Sequence, residues 1–327
     1  MPRGDGPYNG LLIVDKPGLP SGDLPTSHDV VAAVRRWSGQ RRIGHTGTLD
    51  PMASGVLVLC LGKATRLVEY YQGHDKQYLA DIALGSATDT YDAMGTVTHS
   101  APVPIFDISA LESVLDAFRG EIVQVPPAYS AIKSRGESLH RKARRGEAVV
   151  APTRHVSVKR LDLLDMEPQG VIRIRVVCSA GAYIRSLAHD VGIALGSYAH
   201  LAGLRREAAG SFTLDDAHSL DEIEASAKKD RLSELLLPSG TGLQLPVVNV
   251  NDDAMSKLGY GQHVTLISAA GLTGVPASMD VCEEGGGALA QAVAPDGTLA
   301  GIIRCLGTAD SQDHGAIWRA TKWLRTT

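Results

Sequence analysis

A chain of 327 residues, 44% of them hydrophobic, has the material for one large domain and a small second one. It holds no apolar run long enough to cross a bilayer, and Met1 to Asn9 is short, polar and proline-containing, so neither a membrane span nor a signal peptide is expected and the location is expected to be cytoplasmic. The net charge of −4 is unevenly spread: residues 131–160 carry nine Lys/Arg against two Glu, a formal +7, whereas residues 215–327 carry eight against fifteen Asp/Glu, a formal −7. Such asymmetry gathers positive potential where a phosphate-rich partner would dock.

Leu11 to Val14 reads as a short buried strand ended by Asp15-Lys16-Pro17. Thr26 to Trp37 reads as a helix, with Thr26 and Asp29 as a capping pair, Val30, Val31, Val34 and Trp37 on one face, and Gly39 as the stop. The stretch RIGHTGTLDPMASGVLVLCLGKATR, Arg42 to Arg66, follows. Its run Val56 to Leu61 is strand-like and apolar, so Asp50 lies on a glycine-permitted loop leading into the core. A carboxylate placed among Leu49, Pro51, Met52 and Val56 is poorly solvated unless a cation meets it, which suits chemistry; capping a turn is the competing role. Gly55 and Gly62-Lys63-Ala64-Thr65 do not form a phosphate loop, because six residues separate the glycines where four are needed. Gly44-x-x-Gly47 lacks dinucleotide-binding spacing.

Leu79 to Gly85 reads as a strand after Lys76-Gln77-Tyr78, and Thr88 to Gly95 as a turn. Ser109 to Phe118 is expected to be a helix with a Ser109/Glu112 capping box and Gly120 as its end. Beyond Gln124 to Lys133 lies a basic segment with Arg135, Arg141, Lys142, Arg144 and Arg145. Val171 to Val177 alternates, apolar Ile172, Ile174 and Val176 against Arg173 and Arg175, and predicts a half-exposed strand. A helix carrying Ile184, Leu187, Val191 and Leu195 on one face ends at Gly196, and a further helix is expected over Asp221 to Leu237. Pro238 to Gly242 is a linker, and Asp296-Gly297 marks a hairpin between Ala288–Ala294 and Leu299–Leu306. Cys60, Cys178, Cys282 and Cys305 lack C-x-x-C spacing and are expected to be reduced, without zinc.

The stretch GHTGTLDPMASGVLVLCLGKATR closely resembles the catalytic motif of the TruB family, the stand-alone tRNA pseudouridine synthases that act on uridine-55 in the T loop. Lys76-Gln77-Tyr78 with TDTYDAMG, the QxPPxYSAxK run from Gln124, the G-x-Y-I-R run at Gly181 to Arg185, and LAGLRR at Leu201 to Arg206 are similar to that family as well. The resemblance implies Asp50 as nucleophile, Arg185 as its ion-pair partner, and Tyr78 as the ring stacking on the target uracil and candidate base for the final proton removal. It further implies substrate-binding roles for His45, which supports the rearranged T loop, and for Asp92, Tyr183 and Leu204. Lys16 of the DKP element is carried over too, although the turn from Gly18 to Pro25 is longer than the family's. Arg205 and Arg206 are placed toward the RNA, and Lys133, Arg141 and Arg144 on an arm that closes over it. Phosphate neutralisation by such an arm makes affinity fall with salt.

By that resemblance the fold is α+β: a pseudouridine synthase catalytic domain over residues 1–237, with a mixed, mainly antiparallel sheet flanked by helices and a basic insertion at about 124–155. A small C-terminal β domain, PUA-like, is expected over 245–327, and its acidic charge departs from a typical RNA-binding surface. The partner implied is the T stem-loop of tRNA, acted on by a monomer with no obligatory protein partner, no metal and no cofactor. Base flipping, at a cost of a few kcal/mol, and a nucleophilic Asp50 follow, with Arg185 expected to outweigh burial and lower the carboxyl pKa by roughly 1 to 3 pH units. A tRNA-binding or RNA-folding protein with dispensable catalysis is the alternative. A guide-RNA-dependent subunit is disfavoured by the long basic insertion, and a metal-dependent nuclease by the absence of a carboxylate or histidine cluster.

Overall fold

The computed structural model describes residues 6–127, 129, 133–134, 137–138, 145, 151–167, 170–267, 287–308 and 315–325. Its central sheet begins with β1 (Gly10–Lys16), β2 (Ile43–His45), β3 (Ser54–Leu61) and β4 (Lys76–Leu84). A ribbon of β5 (Ser86–Thr88) and β6 (Val97–Ser100) follows, and β7 (Gly120–Gln124) forms an edge of the sheet. Within the basic segment β8 (Lys133–Ser134) pairs antiparallel with β9 (Glu137–Ser138). Strands β10 (Arg154–Met166), β11 (Val171–Cys178), β12 (Ala199–Ala209) and β13 (Phe212–Thr213) complete the sheet. The order is β1-β3-β12-β4-β11-β10-β7, with β2 on β3 and β13 on β12. Only β3 with β12 is parallel, so the sheet is mixed and mainly antiparallel, as expected.

The apolar run that reads as a strand is buried along its whole length because it separates two cores. Leu57, Leu59 and Leu61 enter one core and Val56, Val58 and Cys60 the other, as the alternation of a strand requires. The first core packs against α1 (Ser27–Ser38) through Val30, Val31 and Val34. This helix has the expected Thr26/Asp29 capping box and stops at Gly39, whose φ is 65°. The second core takes Tyr71 from α2 (Val68–Gln72). Each fully buried Leu, Ile or Val side chain contributes about 1.5–3 kcal/mol relative to exposure.

Two helices differ from the sequence expectation. In α3 (Ile108–Asp116) the cap is Asp107, which accepts from Ala110 N at 2.8 Å; Ser109 is already inside the helix and Glu112 meets Arg119 instead. After α4 (Ile184–Ala194), α5 (Leu220–Lys228) ends nine residues short of Leu237, because Asp230 takes a left-handed φ of 54° and turns Leu232 and Leu235 back into the core. Strand β11 alternates as expected, and its outward Arg173 and Arg175 pair with Asp81 and Glu207 at 2.6 and 2.8 Å.

The C-terminal sheet is β14 (Val247–Asn249), β15 (Val264–Ile267), β16 (Leu289–Val293), β17 (Leu299–Thr308) and β18 (Gly315–Trp323), ordered β14-β16-β17-β18-β15, with α6 (Asp252–Gly259) beside it. Ile302 and Leu324 join Val56, Val58 and Phe212, so this sheet covers the rear of β1 and β3. The Asp296-Gly297 turn is present, with Gly297 at φ 77°. Cys60 and Cys178 are free and buried, but Cys305 is disulfide-bonded, its partner lying outside the described residues. That corrects the expectation of four reduced cysteines, since strand pattern carries no information about which thiols folding brings together. Among the described residues no helix is long and apolar enough to cross a membrane.

Candidate active site

The loop from Thr46 to Ala53 lies between β2 and β3 and is tied from three sides. Ser27, at the start of α1, donates its hydroxyl to Leu49 O at 3.0 Å and accepts from Leu49 N at 2.8 Å. Lys16, at the end of β1, donates to Pro17 O, Pro51 O and Ala53 O at 2.8, 3.0 and 2.7 Å. Arg206, on β12, donates to Val56 O, Thr48 O and Gly47 O at 2.6, 3.4 and 3.2 Å. Both cations are buried, and their charge meets backbone carbonyl oxygens. Glycine is required at Gly55, where φ is 103° and a Cβ would come within 2.2 Å of Arg206 O across the parallel β3–β12 pairing.

Asp50 projects from this loop into a cavity of about 480 Å³. Arg185, one residue into α4, meets it with Nε 2.9 Å from Oδ2 and Nη2 donating to Oδ1 at 3.2 Å. The same guanidinium donates to Thr90 O and Tyr129 O, each at 3.0 Å, and lies 3.4 Å from Asp92 Oδ2. A cation in the first turn of a helix opposes the helix dipole, and the two carboxylates offset that conflict. The start of α4 is fixed by Gln124, which accepts from Tyr183 N at 2.9 Å and donates to Tyr183 O at 3.2 Å.

Tyr78, Tyr183 and Leu204 line the same cavity as Asp50 and Arg185. Tyr78 is buried on β4, and burial raises its phenol pKa while neighbouring Arg206 opposes the rise. Lys76, two residues earlier on the same face, is lowered to about 8 by burial and by Arg206. Burial also raises the Asp50 carboxyl above the usual carboxylate range, with Arg185 the largest opposing influence. This reverses the expectation that the ion pair would prevail. Burial of the carboxyl is the leading cause and outweighs the guanidinium, and Asp92, which lies beside the same guanidinium, adds to the rise.

Residues 35–184 match the family model described as TruB family pseudouridylate synthase (N terminal domain), and residues 185–244 match the tRNA pseudouridylate synthase B C-terminal domain. A protein of Geobacillus kaustophilus (strain HTA426), named tRNA pseudouridine synthase B, is 43% identical over 267 residues, covering 79% of this chain and 91% of its own. The chain belongs to the TruB family. A relative of the same name from Arthrobacter sp. (strain FB24) is 38% identical over 304 residues, 91% of this chain and 94% of its own. The solved structure titled Crystal Structure of a Cbf5-Nop10-Gar1 Complex is 26% identical, has a TM-score of 0.72, and is matched over 97% of this chain and 85% of that one. As a TruB-family member the chain is a pseudouridine synthase, an isomerase.

Other expected site residues of this TruB-family chain lie elsewhere. Lys16 is fully buried behind the loop, where its three carbonyl partners include Pro51 O and Ala53 O, so it ties down the backbone that follows Asp50. Asp92 is also buried; its carboxylate accepts from Thr90 Oγ1 and Met94 N at 2.7 and 3.0 Å and faces Arg185. Arg205 lies on the opposite face of β12 from Leu204, pairing with Asp15 at 2.8 Å, whereas Arg206 lines the cavity. The signal for Arg206 is in the sequence: two residues from Leu204 on a strand, it shares that face. His45 stands half-buried on β2 beside the loop; its Nδ1 has no hydrogen-bond partner among the described residues, and burial with Arg206 lowers its pKa. Arg141 and Arg144 lie outside the described residues, as does the side chain of Lys133.

Proposed function

We propose that the chain converts uridine-55 in the T loop of tRNA to pseudouridine, with Asp50 as nucleophile acting on a flipped-out base. The observation that carries this reading is the Asp50–Arg185 pair at the wall of a cavity large enough for a nucleotide base, in a chain whose relatives are named tRNA pseudouridine synthase B. The isomerisation breaks the bond between uracil N1 and the ribose, turns the ring, joins C5 to the same sugar carbon and releases the C5 proton. Attack at the sugar carbon and attack at the uracil ring both require an ionised carboxylate with one oxygen free to approach. Arg185 meets the two oxygens of Asp50 at 2.9 and 3.2 Å and leaves 31% of the Asp50 side-chain surface exposed for that approach.

In this reading Tyr78 stacks on the uracil and takes the C5 proton. Arg206 beside it favours the phenolate and so offsets part of the effect of burial. Tyr183 and Leu204 close the walls around the base, and His45, neutral and next to the loop, supports the rearranged T loop after the base has left its stack. The basic segment with Lys133, Arg141 and Arg144 binds phosphates without reading sequence. The protein is proposed to act in the cytoplasm as a monomer without an obligatory partner protein.

Tritium release from tRNA carrying uridine labelled at C5 tests the reading. Wild-type protein is expected to release label stoichiometric with the T-loop uridine and Asp50→Asn to release none while still binding tRNA. Release by both proteins, or from another uridine, contradicts it.

A further inference from the structure

Tyr91 has a φ of 63°, in the left-handed region that a bulky side chain rarely adopts, and it is flanked by the two residues that reach the catalytic arginine from this loop. Thr90 O accepts from Arg185 Nη1 at 3.0 Å, and Asp92 Oδ2 lies 3.4 Å from the same nitrogen. The left-handed turn at residue 91 lies between the carbonyl and the carboxylate that meet at this one atom. The Tyr91 ring is stacked on His189, with centroids 4.1 Å apart and planes 7° from parallel. His189 stands four residues after Arg185 on α4, on the same face of the helix. Loop and helix are thus joined twice, by the guanidinium and, one turn further, by the stacked rings. Leu201 N donates to Tyr91 O at 3.0 Å and Ala93 N to Leu201 O at 2.9 Å, which ties the turn to β12 as well. Neither Tyr91 nor His189 is among the described residues lining the cavity.

We infer that the stacked Tyr91–His189 pair is a positioning element for the isomerisation: it fixes the strained turn against α4, so that Arg185 is held in the orientation that presents Asp50 to the base. This rests on the proposed role of Asp50. The pair acts through Arg185, so it bears on the rate of the chemical step and not on tRNA affinity.

Single-turnover tritium release and tRNA binding, measured on the full chain with Asp50→Asn as the inactive control, test the inference. Tyr91→Gly adopts the same φ without strain but has no ring, and His189→Ala removes the other half of the stack. Each is expected to slow single turnover by about ten- to hundredfold, the loss that small misplacements of reacting groups produce, with tRNA affinity within about twofold of wild type. Tyr91→Phe, which restores the ring, is expected to recover the rate, and the double variant Tyr91→Gly/His189→Ala to be no slower than the slower single one. Thermal unfolding identifies folded variants; should Tyr91→Gly not fold, His189→Ala against Tyr91→Phe decides. Wild-type rates in the folded ring-less variants, or a loss confined to tRNA affinity, overturn the positioning role. Activity in Asp50→Asn instead overturns the nucleophile assignment, a distinguishable result.

Discussion

Replacing Arg185 with Gln and, separately, Asp92 with Asn should move the acid limb of the reaction in opposite directions. Asp50 faces Arg185 at 2.9 and 3.2 Å, and Asp92 shares the guanidinium at 3.4 Å. Opposite charges about 4 Å apart interact by about 4 kcal/mol at an effective dielectric of about 20. With about 1.36 kcal/mol to each pH unit, that is the upper end of the roughly 1–3 units by which an arginine lowers a carboxylate pKa. Burial already holds the Asp50 carboxyl above its ordinary range, and Arg185 is the leading influence against it. In Arg185→Gln the protonated, non-nucleophilic form therefore persists to higher pH, and the limb rises by about 1–3 units. Below that limb the single-turnover rate falls about tenfold per unit. Asp92→Asn removes a like charge and leaves Arg185 to Asp50 alone, so its limb falls, by less than the Arg185→Gln limb rises. The assay is single-turnover tritium release from about pH 5 to about pH 9. Movement of both limbs in one direction, or of neither, would refute the account of the charges around Asp50.

Arg206→Met should destabilise the fold by about 3 kcal/mol or more in urea unfolding, since it strips buried carbonyls at Gly47, Thr48 and Val56 of a charged donor, and should slow catalysis by loosening the Asp50 loop. Lys16 is lowered to about 8 by burial, so the unfolded chain binds more protons than the folded one between about pH 8 and about pH 10.5 and Lys16 makes stability rise with pH across that window. Lys16→Met should flatten that rise and lower kcat with little change in tRNA affinity, which parallel unfolding and kinetic titrations would show. Replacing Lys133, Arg141 and Arg144 together by Ala should weaken tRNA binding at low salt and reduce the salt slope by about one for each phosphate left without its cation, with single turnover at saturating protein unchanged.

Local pattern carries most of the fold. Period-two alternation at Ile172, Ile174 and Val176, the unbroken apolar run of β3, and the Thr26/Asp29 cap each reflect physics confined to a few neighbouring residues. The Asp107 cap escapes a reading of the pattern because two acceptors, Asp107 and Ser109, compete within one turn and the helix uses the earlier. Asp50 stands out as a carboxylate in apolar company, but its partner lies 135 positions away, and only the resemblance joins them. The roles of Lys16 and Arg206 depend on carbonyls from a distant loop, which side-chain chemistry alone does not reveal. The direction of the Asp50 shift is misread when one arginine is matched to one carboxylate, because burial of the folded carboxyl outweighs that arginine and Asp92 adds to the rise.

The most direct test of the central claim compares wild type with Asp50→Asn for tritium release from tRNA labelled at uridine C5, with tRNA binding measured in parallel. Asp50→Asn should fold and remain stable near neutral pH. A carboxyl whose folded pKa is raised contributes stability only while protonated, a contribution lost as pH rises through that pKa, and Arg185 keeps Asp92, Thr90 O and Tyr129 O as partners. The account predicts release by wild type alone, from the T-loop uridine, with equal tRNA binding by both proteins. Release by Asp50→Asn at the wild-type rate would contradict it, and binding without release by either protein would make the chain an RNA-binding protein whose catalysis is dispensable.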